Sequence, residues 1–240
     1  MEQPTHTIDP DGEVMIILSN ANAPFAPEAS ITKQNVEKAD DEDNDKSSEF
    51  QISESTTSDS GVHYNDRNND KEPDSPRFCI QASAKHLSCA SPVFKKLLTG
   101  SWKESITFQQ KGYVEITTES WDIEAFLILL RIMHCQFNQI PRWITVEMLA
   151  KVAVVADYYE CKDVIRFFVN IWVEDKRPPD KYCRDLILWL WISWAFEYGK
   201  RFKAITATAM LHGDRQMNSL GLPIPDRVIG KQDTHSFFNI

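Results

Sequence analysis

The spacing of apolar positions along the chain predicts a few short strands followed by a succession of helices. Gly12 precedes Glu13-Val14-Met15-Ile16-Ile17-Leu18, a β-branched run of the kind that forms a mostly buried strand, and Asn20 to Pro27 breaks it. Arg77-Phe78-Cys79-Ile80-Gln81 alternates in polarity as a second strand. A lone short strand is not stable in water, so the first is expected to pair with the second, and the residues between become the loop of an enlarged hairpin. Gly112 to Thr117 reads as a third strand.

Helices occupy most of the remainder. Ser83 to Ala90 holds one or two turns centred on Leu87. Ser91 then caps a helix Pro92 to Leu98, with proline at its first position, the pairs Val93/Leu97 and Phe94/Leu98 one turn apart, and Gly100 as its stop. Ser120 is expected to cap a central helix from Trp121 to Met133, apolar nearly all round, with Asp122 and Glu124 favoured by the dipole of its first turn. After Pro141, Thr145 caps a helix with Val146, Leu149, Val152, Ala153 and Ala156 on one stripe. Val164, Phe167, Phe168 and Ile171 form the stripe of the next, which ends before Pro178-Pro179. Beyond them Asp180 opens a helix to Tyr198 that Gly199 closes, a further helix runs through Phe202 and Ile205 to Leu211, and Leu222-Pro223-Ile224-Pro225 reads as extended.

Charge changes this picture in one place. The formal net charge is −9, and Glu28 to Pro76 contains fourteen Asp or Glu against five Lys or Arg, so 5 − 14 = −9 accounts for all of it. That segment holds eight apolar residues in forty-nine, too few to offset its ordering entropy, and it is expected to be a disordered acidic insertion. Asp40 to Asp45 is an acidic cluster, and Ser47 to Ser60 has eight Ser or Thr among fourteen residues; the segment reads either as a phosphorylatable docking region or as a solvated loop with no partner. An acidic insert argues against nucleic acid as a partner. The longest apolar stretch, Leu186 to Phe196, is eleven residues where a membrane span needs roughly 20, and no basic residue precedes Val14 to Leu18 as a secretory signal would require. No membrane association is expected, and the cytoplasm or nucleus is the expected compartment. Five cysteines without a CxxC pair fit neither a disulfide framework nor a zinc knuckle.

With these elements in place, the chain resembles the BTB/POZ family, in its fungal type. Leu87, Ser91 and Phe94 are similar to the "L-x-x-x-S-x-x-F" core of that domain, Trp121 to Met133 to its central helix, and Leu149 to Tyr158 with Cys161 to its closing segment. The opening Gly-Glu-Val-Met-Ile-Ile-Leu and Asp157-Tyr158-Tyr159-Glu160-Cys161 strengthen the likeness. The resemblance implies an α/β fold: a short three-stranded sheet covered by five helices over residues 13–173, interrupted by 28–76. A helical extension at 179–212 and an extended tail at 213–240 follow. It also implies a non-catalytic protein-binding module. Many relatives carry a His-Lys or His-Arg pair at the start of the first helix, where this chain has Ser83-Ala84, so the charged pocket used for co-repressors is not expected.

No motif for nucleophilic, phosphate-binding or metal chemistry stands out; no cofactor or metal is expected, and no catalytic residue is assigned. His86 with Cys89, three apart on a helix, and His134 with Cys135 are the nearest approach to a ligand set, short of the four matched ligands of a zinc site. Two surface signals remain. Trp102-Lys103-Glu104, expected in a loop before the third strand, matches the "hydrophobic, any residue, Glu" element that some BTB adaptors present to the cullin scaffold of ubiquitin ligases; the bland reading is that Trp102 folds back as a lid on its own core. Trp189, Trp191 and Trp194 cannot share one helical face, so they read either as a partner surface or as a helix packed on two sides. Two functions stay open: an adaptor bringing a client to a cullin-type ligase, and a self-associating structural or transcription-related interaction protein, a homodimer being one such form.

Overall fold

The computed structural model describes residues 3–27, 77–212 and 217–229. The expected disorder of 28–76 lies outside the described residues. Among these residues four strands form one sheet in the order β1-β3-β2-β4, where β1 is His6–Thr7, β2 Val14–Ser19, β3 Phe78–Ala82 and β4 Val114–Glu119. β2 runs antiparallel to β3 with Ile16 opposite Ile80, and parallel to β4 with Ile16 opposite Ile116. The expected pairing of the two segments that flank 28–76 is therefore present, and β2 is an interior strand, paired on both sides.

The pleat explains why β2 is apolar at every position but its last. Val14, Ile16 and Leu18 point into the main core with Ile80, Val114 and Ile116, while Met15 and Ile17 form a small second cluster with Cys79, against which Tyr113 packs. Gly12 brings the chain into β2 where it crosses the end of β3. A Cβ there would lie 2.5 Å from the Ala82 carbonyl carbon and oxygen, so no other residue fits without moving backbone. The short strand β1 is an addition to the three expected. It has no apolar pattern and is held through Thr5, whose Oγ1 accepts from the Cys79 amide at 2.9 Å and donates to its carbonyl at 3.0 Å.

Among the described residues six helices, one more than expected, accompany the sheet up to Glu174: α1 Ala84–Ala90, α2 Pro92–Thr99, α3 Lys103–Lys111, α4 Ile123–Met133, α5 Val146–Tyr158 and α6 Lys162–Glu174. The unexpected one is α3, whose KESITFQQK sequence lacks a strong apolar stripe; it ends at Gly112, which takes the left-handed conformation with φ 68°. The cap of α4 also differs from expectation. Ser120 adopts φ 66° and ends β4, and Asp122 caps the helix by accepting from the Ala125 amide at 3.0 Å. Asn22 accepts from the Ile123 amide at 3.1 Å, so the segment after β2 helps to cap a helix a hundred residues later.

Two further helices, α7 Arg184–Ala195 and α8 Gly199–His212, continue the chain. α7 starts after Cys183 rather than at Asp180, and Gly199 opens α8 rather than closing α7, because the break falls at Phe196-Glu197-Tyr198, with Glu197 at φ 61°. α7 packs against α5 and α8 and joins the main core along its whole length. The expected extended tail is corrected in part: Leu220, Leu222, Ile224 and Val228 are buried in that core, and Asp226–Ile229 forms one helical turn, α9. Among the described residues no helix is long and apolar enough to cross a membrane.

A chain of charged contacts fastens α7 to the rest. Arg184 Nε donates to the Ala26 carbonyl at 2.7 Å, Nη2 to the Phe25 carbonyl at 3.0 Å, and Nη1 to Glu147 at 2.9 Å. Glu147 also meets Lys151, which reaches Asp122 at 2.9 Å. Hydrogen bonds from Lys151 and Arg184 outweigh partial burial and hold the Glu147 carboxyl below its ordinary value of 4.5. A carboxyl depressed on folding stabilises the fold above its unfolded pKa, so this contribution is complete above that value and fades as the pH falls through the folded one. Replacing Arg184 by Ala leaves two backbone carbonyls and Glu147 without their donor. We expect a loss of about 2 kcal/mol in urea unfolding at pH 7, shrinking as the pH drops below 4.5; a loss under ~0.5 kcal/mol at neutral pH would show that the contact is ornamental.

Candidate protein-interaction surface

α6 is apolar on two sides. Ile165, Val169, Trp172 and Val173 face the core at helical spacing, and this is the buried stripe. The stripe expected from sequence divides: Val164 and Phe168 are half-buried and pack against the core, while Phe167 is 69% exposed and Ile171 43%. Period alone could not separate them, since both sets repeat at i, i+3 or i+4. Phe137, 54% exposed on a short 3-10 turn at 137–139, brings its ring to 5.5 Å from Phe168. Together with the ends of α1 and α4 these side chains border a groove of about 700 Å³, lined among others by His86, Cys89, Met133 and Phe137. Among the described residues, Lys85 is the one lysine or arginine in that lining and no carboxylate is part of it. Sequence reading missed this groove because it assigned its wall to the core.

The second surface is at the start of α3. Trp102 lies in the loop as expected, as the extended residue just before the helix, whereas Lys103 and Glu104 belong to the first turn of α3; Trp102 is 62% exposed. The lid reading of Trp102 therefore fails. Ile106, one turn on, is 49% exposed, while Lys103 is exposed and Glu104 half-buried in the first turn. Ser105 anchors this turn from beneath, buried, with its hydroxyl donating to the Gly100 carbonyl at 2.6 Å.

The third expected surface is not one. Trp189 and Trp191 are each 1% exposed, so the reading of these two as partner contacts is corrected: neighbours on several sides of α7 bury both faces. The Arg201 guanidinium lies 5.3 Å from the Trp189 ring. Trp194 is half-buried, with Phe202 at 5.8 Å and the Arg227 guanidinium at 5.2 Å.

Residues 79–175 match the family model of the BTB/POZ domain. This segment is a BTB/POZ domain. No curated protein matches the chain.

Within the BTB/POZ domain, the residues that carried the likeness meet at one point. Ser91, fully buried, accepts from the Phe94 amide at 3.1 Å and donates to the Tyr159 carbonyl at 2.6 Å. The Tyr159 ring stacks on Phe94 at 4.4 Å and lies 5.7 Å from Phe126, and its hydroxyl meets Thr118 Oγ1 at 3.2 Å. The adjacent Tyr158 is 59% exposed, so Tyr159 is the tyrosine that locks α2, α4, α5 and β4 together. Cys161, next in the motif, is buried, which pushes its thiol up to about 12 and keeps it protonated; its S–H donates to the Ala156 carbonyl. At the Ser83-Ala84 departure, the two backbone amides are taken up by His134 Nε2 at 3.0 Å and Glu13 Oε2 at 3.1 Å. Among the described residues no three of His, Cys, Asp and Glu come together as a metal site.

These placements separate stability from recognition. Trp189→Ala is expected to cost about 3–5 kcal/mol in chemical denaturation, whereas Trp102→Ala and Phe167→Ala stay within ~0.5 kcal/mol of the wild type. A large loss at Trp102 would mean that it packs on the domain after all.

Proposed function

We propose that the chain is a non-catalytic adaptor that joins a cullin-type ubiquitin ligase scaffold to a client, with Trp102 and Glu104 on the scaffold side. The BTB/POZ domain carries the general part of this reading, a protein-interaction module. The observation that supports the specific part is the exposure of Trp102 at 62% beside exposed Ile106, with Glu104 in the same turn of α3. A large indole held outside its own core, on a turn anchored by Ser105, is a rigid anchor for a partner pocket, and a neighbouring carboxylate adds a directional acceptor. The groove along α6 is a second apolar surface, suited to a client. The buried Trp189 and Trp191 have no role in contact here; they belong to the common core.

The test is calorimetric titration of the purified chain with a purified cullin scaffold. The wild type is expected to bind, and Trp102→Ala with Glu104→Ala to weaken binding by about thirtyfold or more, the size of an interface hot spot, with thermal stability unchanged. Binding that is absent in the wild type, or equal in the variant, removes the adaptor reading. A mass of two chains in light scattering together with no scaffold binding points instead to the self-associating interaction protein.

A further inference from the structure

Where α4 ends, His134 is 8% exposed and both of its ring nitrogens are committed. Nδ1 lies 2.7 Å from the Leu130 carbonyl, one turn back on its own helix, and Nε2 lies 3.0 Å from the Ser83 amide, the residue before α1. A carbonyl can only accept and an amide can only donate, so the ring is neutral with its proton on Nδ1. The ring also stacks on His86 of α1, with centroids 4.9 Å apart and planes 27° from parallel.

We propose that His134 is a proton-operated latch on the N-terminus of α1: taking up a proton at Nε2 breaks its bond with the Ser83 amide and releases the wall of the α6 groove. The proton must land on Nε2, the one ring nitrogen that carries none, whose lone pair accepts from the Ser83 amide. That turns the acceptor into a donor aimed at another donor, so ring and amide must part. The same proton places a cation on the face of His86, and His86 lines the groove together with Ile132, Met133 and Cys135, which flank His134 along the chain at the end of α4. Movement of either ring therefore reshapes that surface.

The surroundings set the sign. Burial is the main influence and disfavours the charged ring, His86 adds to it, and the Leu130 carbonyl and Asp9 act the other way; the balance keeps the His134 imidazole below its ordinary value of 6.5. Of the other ionisable groups nearby, Glu13 is engaged at the Ala84 amide, Lys85 lines the groove, and Arg131 and Cys135 sit on either side along the chain. A base whose pKa is depressed on folding stabilises the fold at high pH, so stability falls as the pH drops below 6.5. The latch itself stands on these bonds alone; its effect on partner docking rests on the groove being a partner surface.

The experiment is an NMR titration of the full chain from pH 7.5 to 4.5, following the His134 ring nitrogens, the Ser83 and Ala84 amides and the side-chain methyls of Ile132 and Met133. At pH 7.5 the ring should carry its proton on Nδ1. On acidification the His134 midpoint should fall below 6.5, with the Ser83 amide moving upfield and the groove methyls shifting at the same midpoint. His86→Ala, at an exposed site, should raise that midpoint, and His134→Gln should abolish the Ser83 step. A proton on Nε2 at pH 7.5, a midpoint at or above 6.5, or amides and methyls that stay still while His134 titrates would each overturn the latch. Should His134→Gln not fold, the wild type and His86→Ala still decide. Scaffold affinity is measured separately, so failure of the latch and failure of the adaptor reading give different results.

Discussion

Pairing of β2 with strands on both sides is the constraint on which the remaining architecture rests. Val14, Ile16 and Leu18 are each fully buried, and each contributes about 1.5–3 kcal/mol of apolar burial only while the strand is held in the sheet. Both ladders join residues far apart in sequence: Leu18 lies opposite Phe78 in one and opposite Thr118 in the other. The chain must therefore close long loops before any of this burial is gained, and that closure entropy is met by the helices packed over the same face. The sheet and its helical cover form together, since neither has a closed core without the other.

Above the sheet, a few polar contacts decide how the helices sit. Ser91 and Tyr159 lock α2 to the end of α5, and Arg184 ties α7 to the Phe25 and Ala26 carbonyls that follow β2. The segment leaving β2 is thus held from both directions, by Arg184 and by Asn22 at the start of α4. With α7 inside the common core, the apolar surfaces at Trp102 and along α6 stand on elements that are themselves firmly seated. Rigid presentation of this kind lowers the ordering entropy that partner binding must overcome. The histidine pair lies at the junction between this rigid frame and the groove, which is why a single proton there has a structural consequence.

Much of this was legible in the residues. The buried run Val14 to Leu18, the capping of α2 by Ser91 and of α5 by Thr145, and the central apolar helix followed from local pattern and capping chemistry. What escaped were features that local pattern does not encode. α3 has little apolar periodicity, and β1 is two residues held by another segment's backbone. On α6 two apolar stripes compete, and only the tertiary fold decides that Ile165, Val169 and Trp172 go inside while Phe167 stays out. The tryptophans of α7 left two readings open, since residues that cannot share one face fit either a partner surface or a helix packed on two sides, and the fold buries Trp189 and Trp191 in line with the second. Of the proposed surface, Trp102 and Glu104 were singled out from sequence, and the structure leaves Trp102 exposed. The groove was not singled out, because its members come from α1, α4, the 137–139 turn and α6, and no spacing along the chain connects them.

The central claim, that β2 in the segment before residue 28 is an interior strand of a single sheet, is open to one direct measurement. A protease site engineered between residues 28 and 76 is cleaved in the folded protein, and the two fragments are passed over a sizing column under native conditions. This account predicts that the N-terminal piece co-elutes with the remainder and that the nicked protein unfolds in one transition. Release of the N-terminal piece from a remainder that keeps its stability would contradict it.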